Sequence, residues 1–433
     1  MLRLSVPRAA AKHDRVRCQA ARESPVSRNG SMRLVFLLNQ SLEYPSGLGR
    51  YWPLCRELAR LGHRTTMLCL HPSFASLAPR RFHREGVDVR YVAQMHVRQE
   101  GSVRSYYASW ELPFVVAGGT VAMARALRKL DVDALHIAKA QPGNGLAALV
   151  RPDLWRKGSV YLDSDDYEAG SNNFQSGAQQ RLVALIEDGI ARRVRAVTTN
   201  TTFTAARLQG IGVARERILL VPNGVERERV RAVPAGLPDE LRRRYGLEGT
   251  PLLAYVGSLS LANHCVDLML RAFASAHEQR SDLRLALVGG GEDMVAMQAL
   301  ARELGLGESA RFIGRVDPVE ALAWTAAADL SLDPAIDDPA HRARAPLKIP
   351  EAMAMGTPVI TSDVGDRAEV IGGDAAGFLV PPGDSEALAQ AMVDALSDQE
   401  RLRAMGRRAS EMAESLYWDH LVHRFLRVYD LAS

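Results

Sequence analysis

Residues Pro346–Gly365 read PLKIPEAMAMGTPVITSDVG. A short helix starts near Lys348, a glycine ends it at Gly356, and Pro358 opens a β-branched strand over Pro358–Thr361. Helix, glycine stop and strand in close succession are the marks of an α/β unit. The same alternation extends outward on both sides. Leu252–Val256, Arg284–Val288, Ala310–Ile313, Leu330–Leu332 and Gly377–Val380 read as further strands. Val266–Gln279 and Met294–Leu304 read as helices, the second stopped at Leu304–Gly305. Toward the N-terminus, Arg33–Asn39 is apolar on both parities, as expected of a strand buried on both faces. Tyr51–Leu61 reads as a helix, and Arg64–Leu70, Val87–Val92, Ala134–Ile137, Ser159–Asp163, Ala196–Thr199 and Ile218–Val221 read as strands. Between the two series lies VPNGVERERVRAVPAGLPDE, residues 221–240, rich in Pro, Gly and charge. Strands alternating with helices predict two mainly parallel, helix-covered sheets.

A chain of 433 residues is too long for one ordinary core and agrees with two domains. At 47% hydrophobic and 24% charged, the composition is globular. The net charge of +4 invites nucleic-acid or membrane readings, yet it is unevenly placed. Residues 1–31 hold seven cations and two anions, so the rest of the chain carries −1. No nucleic-acid partner is expected. The basic leader lacks an apolar signal core and is read as a disordered extension or an early-assigned start, its transit-peptide flavour notwithstanding. No run approaches the roughly 20 apolar residues of a membrane span. The four cysteines show neither metal-ligand nor disulfide spacing, so a reducing, cytoplasmic setting is expected. Arg80, Arg81, Arg84, Arg90 and Arg98 form a candidate surface for peripheral contact with anionic lipid at the inner face of the membrane; the default is a solvated face.

Ligands of open α/β sheets bind beyond the carboxyl ends of the strands. Four loops follow such ends. Gly47 and Gly49 precede a helix and offer backbone amides to an anion. Gly289–Gly291 follow a strand and permit close approach, without dinucleotide spacing, since residue 294 is Met. Asp163, Asp165, Asp166 and Glu168 cluster after a strand, where they suit a base, acceptor hydroxyls, a cation or a polar helix cap. His136 with Lys139 is a minor candidate. Finally Arg342, Arg344 and Lys348 precede Glu351. Only five lysines occur, and Lys348 alone lies beyond residue 157. A compact ammonium there suits a pyrophosphate.

The series LLVPNGVE, LAYVGSL, LRLALVGGGED, ARFIGRV, PLKIPEAMAMGTPVITSDVG and GFLVPPGD resembles, in order and spacing, the retaining glycosyltransferases of family four. That family has the GT-B fold, two facing Rossmann-like domains with parallel sheets. The resemblance covers residues 32–433 and is weaker in the first half, where Gly47–Gly49 and LARLGHRTTML carry it. It implies an N-terminal acceptor domain over 32–222, a nucleotide-sugar donor domain over 223–409, and a C-terminal helix over 410–433 crossing back. It implies sugar transfer from a nucleotide-sugar to a glycan, lipid-linked or small-molecule acceptor, with retention. No cofactor or metal is implied. Glu351 matches the acid that bonds the nucleotide ribose; Gly257, Gly289, Gly290, Arg315 and Val316 match the loops around the donor.

The departures are specific. Ser258 stands where the family has Arg, Asn263–His264 where it has Lys, and Ala343 where the first of two spaced Glu is usual. A leaving diphosphate still needs cations or amides. Lys348, Arg344, His264 and the Leu347 amide are the expected substitutes, with Asp166 as a candidate catalytic acid or base. A catalytically silent nucleotide-sugar-binding or scaffold module is the alternative. A GT-B enzyme of different chemistry, an epimerase or phosphorylase, fits the motifs less well.

Overall fold

The computed structural model describes residues 30–44, 47–100, 103–171 and 177–431. The basic leader, apart from its last two residues, lies outside them. Ten strands form the first unit: β1 (Arg33–Leu38), β2 (Arg64–His71), β3 (Arg81–Arg84), β4 (Val87–Gln94), β5 (Val97–Glu100), β6 (Val103–Tyr106), β7 (Ala134–Ala138), β8 (Val160–Ser164), β9 (Val197–Thr199) and β10 (Ile218–Leu220). Six form the second: β11 (Leu252–Val256), β12 (Arg284–Val288), β13 (Ala310–Gly314), β14 (Leu330–Asp333), β15 (Val359–Ser362) and β16 (Gly377–Val380).

The first sheet runs β10-β9-β8-β7-β1-β2-β4-β3, parallel except for β3 against β4. The second runs β13-β12-β11-β14-β15-β16, all parallel. Both place the first strand of the unit centrally, with the chain order reversing beside it at β1/β7 and at β11/β14. Crevices at such reversals are where doubly wound sheets bind ligands. Helices cover both faces. In the second unit, helices Val266–Gln279 and Ser385–Ala395 bury Phe273, Leu388 and Met392 on one face, while Leu241 and Trp324 close the other.

The strands expected in the sequence all form. β3 and the hairpin β5/β6 were not anticipated. Their sequences, RFHR, VRQE and VRSY, are short and mix charged with apolar residues, so they offer no apolar run. β3 is an edge strand, where charge discourages pairing with another chain.

The linker and the C-terminus tie the two units together. Helix Gln399–Ala413 continues past residue 409, because Ala409 and Ala413 bury against the cluster of Ile349 and Met353. The chain crosses back only at Glu414–Leu416. Helix Trp418–Leu426 then inserts Trp418, Leu421 and Phe425 into the core beneath β1 and helix Trp52–Arg60. Val225 in the linker bridges Tyr417, with Val225 N donating to Leu416 O at 3.0 Å and Trp418 N to Val225 O at 3.1 Å.

Candidate functional site

At the carboxyl end of the second sheet, β14 delivers Asp333, only 4% exposed. Burial alone would push its carboxyl up, but Arg367 and Lys348 outweigh that and hold it well below the ordinary carboxylate range. Arg367 Nε donates to Asp333 Oδ2 at 2.8 Å, Thr361 Oγ1 donates to the same oxygen at 3.0 Å, and Lys348 Nζ lies 3.4 Å from Oδ1. The ammonium also sits 4.0 Å from the centre of the Tyr255 ring, a cation–π contact. Burial pulls the Lys348 pKa down, Asp333 opposes, and Arg367 and Arg344 add repulsion. Lys348 is therefore a charge held by one carboxylate and one ring at the first turn of helix Lys348–Ala354, with Glu351 one turn on.

The expected donor loops converge on this lysine. Gly257 follows β11 with φ of 159°, and Lys348 Cε lies 3.5 Å from where its side chain would begin. Gly289 (φ 137°) presses against the Gly257 carbonyl so closely that any Cβ would overlap it. Arg315 folds over Gly290, with Cγ and Nε 3.0 Å from a notional Cβ. Val316 packs below, against the cluster of Trp324. Ser258 is exposed, and its carbonyl accepts from Tyr255 Oη at 2.8 Å, which curls the loop.

His264 needs a correction. It joins the site, but burial, followed by the charges of Lys348 and Arg344, drives its pKa down to about 2. It is neutral at pH 7 and supplies no cation. Arg344 is close enough to Lys348, Tyr255 and His264 to perturb all three. Ala343, at the position of the missing Glu, is fully buried, and its carbonyl accepts from Thr201 Oγ1 of the first unit at 3.4 Å. Glu351 is paired with Arg229 of the linker helix Arg227–Arg231.

Across the cleft, the acidic loop divides into two. Asp163 is withdrawn into the core by Arg50, which was not singled out from the sequence. Arg50 Nε and Nη2 donate to its two oxygens at 2.9 and 2.8 Å, and Thr198 Oγ1 adds a bond at 2.7 Å. Arg50 Nη1 donates to Val221 O and to Asn223 Oδ1, and Asn223 Nδ2 donates to Ala345 O at 2.8 Å. Asp165, Asp166 and Glu168 stay at the cleft, with candidate ligand oxygens within 4.8 Å of one another, a spacing suited to a cation. Lys139 supplies that charge, with Nζ 2.6 Å from Asp166, 3.4 Å from Glu168 and 3.6 Å from Asp165. Burial raises the Asp165 pKa to about 7 against the pull of Lys139.

His136 is a core residue. It stacks on Phe36 at 4.6 Å and shares a hydrogen bond of 2.8 Å with Tyr429. Gly47 and Gly49 lie in one π-turn before helix Trp52–Arg60. Gly49 abuts the Leu347 side chain of the second unit, and its carbonyl accepts from Trp418 Nε1 at 3.0 Å. Both glycines thus serve close packing, Gly47 against Ser41 and Leu42 and Gly49 between the units. The arginines read as a lipid-facing surface are individually occupied. Arg81 and Arg90 bond Asp88, Arg84 bonds Glu85, Arg80 lies over Phe74, and Arg98 pairs with Glu111. A hollow of about 520 Å³ separates Thr202 and Phe203 from Asp337, Arg342 and Gly365; of the candidate cations it takes Arg342, and neither Lys348 nor Arg344 lines it.

Two family models match in succession. The one described as glycosyl transferases group 1 covers residues 250–398, and the glycosyl transferase 4-like domain covers residues 46–224. The chain belongs to this glycosyltransferase family. It is 31% identical over 245 residues to the D-inositol 3-phosphate glycosyltransferase of Nocardia farcinica, covering 54% of this chain and 52% of that one. It is 31% identical over 202 residues to the phosphatidyl-myo-inositol mannosyltransferase of Mycobacterium leprae, covering 45% and 51%. The chain thus spans about half the length of these curated relatives. Its fold is similar to that of the sucrose-phosphate synthase of Thermosynechococcus elongatus, with a TM-score of 0.73 at 20% identity over 92% of this chain and 98% of that one. The architecture is GT-B. Among the described residues, no helix is long and apolar enough to cross a membrane.

Proposed function

We propose that the chain transfers a sugar from a nucleotide-sugar to an acceptor hydroxyl with retention of configuration, holding the donor on the second unit and the acceptor on the first. The observation that carries this is Lys348. It is a buried ammonium at the carboxyl end of a Rossmann-ordered sheet, ringed by the glycine loops and backed by Arg344. The expected donor phosphates lie against Lys348 and Arg344, where the family's usual Arg and Lys are missing. Charge that develops on the leaving diphosphate is offset by cations already in place, at no reorganisation cost during the reaction. His264, being neutral, contributes a hydrogen bond at most. A front-side retaining transfer needs no protein nucleophile. The silent-module reading draws on the missing Arg and Glu, and Lys348 with Arg344 offers cations in place of the missing Arg. The names of the relatives also favour transfer.

The test is turnover of UDP-, GDP- and ADP-sugars, followed as nucleotide release with and without polyol or glycan acceptors. Nucleotide binding without release from any of them would favour the silent module.

One observation favours a lipid-borne acceptor as the finer reading. Helix Pro142–Ala148 packs between helices Leu112–Arg128 and Gly177–Arg193. This layer exposes Trp110 (72%), Phe114 (74%), Leu149, Leu182 and Leu185. These exposed apolar side chains, in a layer whose helices also expose Arg125, Arg128 and Arg181, suit an anionic bilayer surface better than the paired arginines of β3–β5. Co-sedimentation with anionic vesicles, lost on Trp110→Ser/Phe114→Ser, would support it; equal recovery with neutral vesicles or with the variant would remove it.

A further inference from the structure

The linker helix Arg227–Arg231 carries three functions on one short turn. Glu226 and Glu228 face the first unit, where Arg56 Nη1 donates to Glu226 at 2.7 Å and Arg56 Nη2 to Glu228 at 2.8 Å. Arg56 is itself only 3% exposed. Arg227 turns to the crossing segment, donating to Asp419 at 2.8 Å and to Glu414 at 3.0 Å. Arg229 reaches into the second unit and bonds Glu351 through Nη2. Its Nε–H is buried and has no acceptor among the described residues.

Resting on the functional reading above, we infer that Arg229 is a positioning residue for the donor nucleotide. It fixes the carboxylate of Glu351 for the ribose hydroxyls and makes that fixation depend on the linker. Three physical points support this. First, Glu351 shares a helix face with Lys348, so its carboxylate stands near the place where a diphosphate would lie. A guanidinium on that carboxylate offsets their mutual repulsion. Second, a carboxylate has about four lone-pair positions, and Arg229 engages one oxygen, leaving acceptors for two hydroxyls. Third, Arg229 is held at its base by residues bonded to the first unit and to the crossing helix. The acid of the donor site is therefore set by a residue of the linker helix.

The experiment is calorimetric binding of UDP, GDP and ADP, and of the 2′,3′-dideoxy form of whichever binds tightest. The proteins are wild type, Glu351→Gln, Arg229→Met, Arg229→Lys and the Met/Gln double variant of the full chain. The expected result is about a tenfold loss for the ribonucleotide in Arg229→Met and in Glu351→Gln, with little change for the dideoxy form. Arg229→Lys should recover part of the loss, and the double variant should be no worse than Glu351→Gln alone. The ratio between the two nucleotides is the deciding number, because a general folding defect weakens both alike. Arg229→Met or Arg229→Lys losing both nucleotides equally, or Arg229→Met matching wild type while Glu351→Gln does not, overturns the inference and leaves the functional reading standing. If Glu351→Gln itself matches wild type, the ribose role of Glu351 falls and the inference with it. If wild type binds none of the three nucleotides, the functional reading falls as well.

Discussion

The two sheets end in the same device, used differently. At the carboxyl end of each, a buried aspartate meets a buried arginine: Asp163 with Arg50 in the first unit, Asp333 with Arg367 in the second. In the first unit the arginine commits most of its donors inside the fold, bonding both carboxylate oxygens, the Val221 carbonyl and Asn223. Only 1% exposed, it acts as a hinge pin between sheet and linker. In the second unit the aspartate also faces Lys348, which is held by a single carboxylate contact at 3.4 Å and by a ring. Lys348 keeps donors for another anion. The difference teaches that a buried ion pair is scaffold when its cation is enclosed by internal acceptors and a preloaded site when it is not.

The sharpest way to break this comparison is Arg50→Met. It leaves Asp163 buried without its cation, and breaking such a pair costs about 3–5 kcal/mol. Chemical denaturation should show a loss of that size. An undiminished midpoint would mean that Asp163 is not held as an anion. Lys348→Ala should behave oppositely. Arg367 still pairs with Asp333, so stability should change little, while turnover of the preferred nucleotide-sugar falls by roughly 10²–10³. A large loss of stability with retained turnover would make Lys348 scaffold too. Arg344→Ala is expected to cost less, about tenfold in turnover, because Lys348 remains. Wild-type turnover in both variants would dismiss the pair as the phosphate-neutralising group.

How far the sequence foretold this is itself uneven between the sheets. Leu252–Val256 and Gly377–Val380 are continuous apolar runs, as is Arg284–Val288 after its first residue, and they form strands over just those residues. The edge strands at Arg81–Arg84 and Val97–Glu100 gave no such signal, since charge there protects an edge rather than filling a core. Lys348 was legible because lysine is scarce in this chain. Arg50, Arg229 and Arg367 were not, because an arginine among dozens acquires meaning only from its partner. Those partners lie 113 residues away for Arg50, 122 for Arg229 and 34 for Arg367. His264 was read as a cation because its burial beside two other cations is a tertiary fact. The break at Glu414–Leu416 was misplaced within the continuous helix Gln399–Ala413, whose buried alanines look no different from a surface helix in sequence.

The acidic loop of the first sheet offers a test through pH. Asp165 is buried beside Lys139, Asp166 and Glu168, and its pKa is raised by burial to about 7, from an ordinary value near 3.8. The folded chain therefore binds a proton that the unfolded chain has already released between those values. By linkage, stability that is complete below about pH 4 declines as pH rises, at up to about 1.4 kcal/mol per unit, and levels off above about 7. Glu187, raised to about 7 mainly by its own burial, contributes a slope of the same sign over the same window. Asp165→Asn should thus remove part of the decline between pH 5 and pH 8 rather than all of it. Thermal unfolding midpoints of wild type and Asp165→Asn at the two pH values measure this. Parallel changes in the two proteins would show that Asp165 is ionised throughout, held as an anion by Lys139. The loop would then be an internal ion pair like that of Arg50, and the contrast between the sheets would be drawn more sharply.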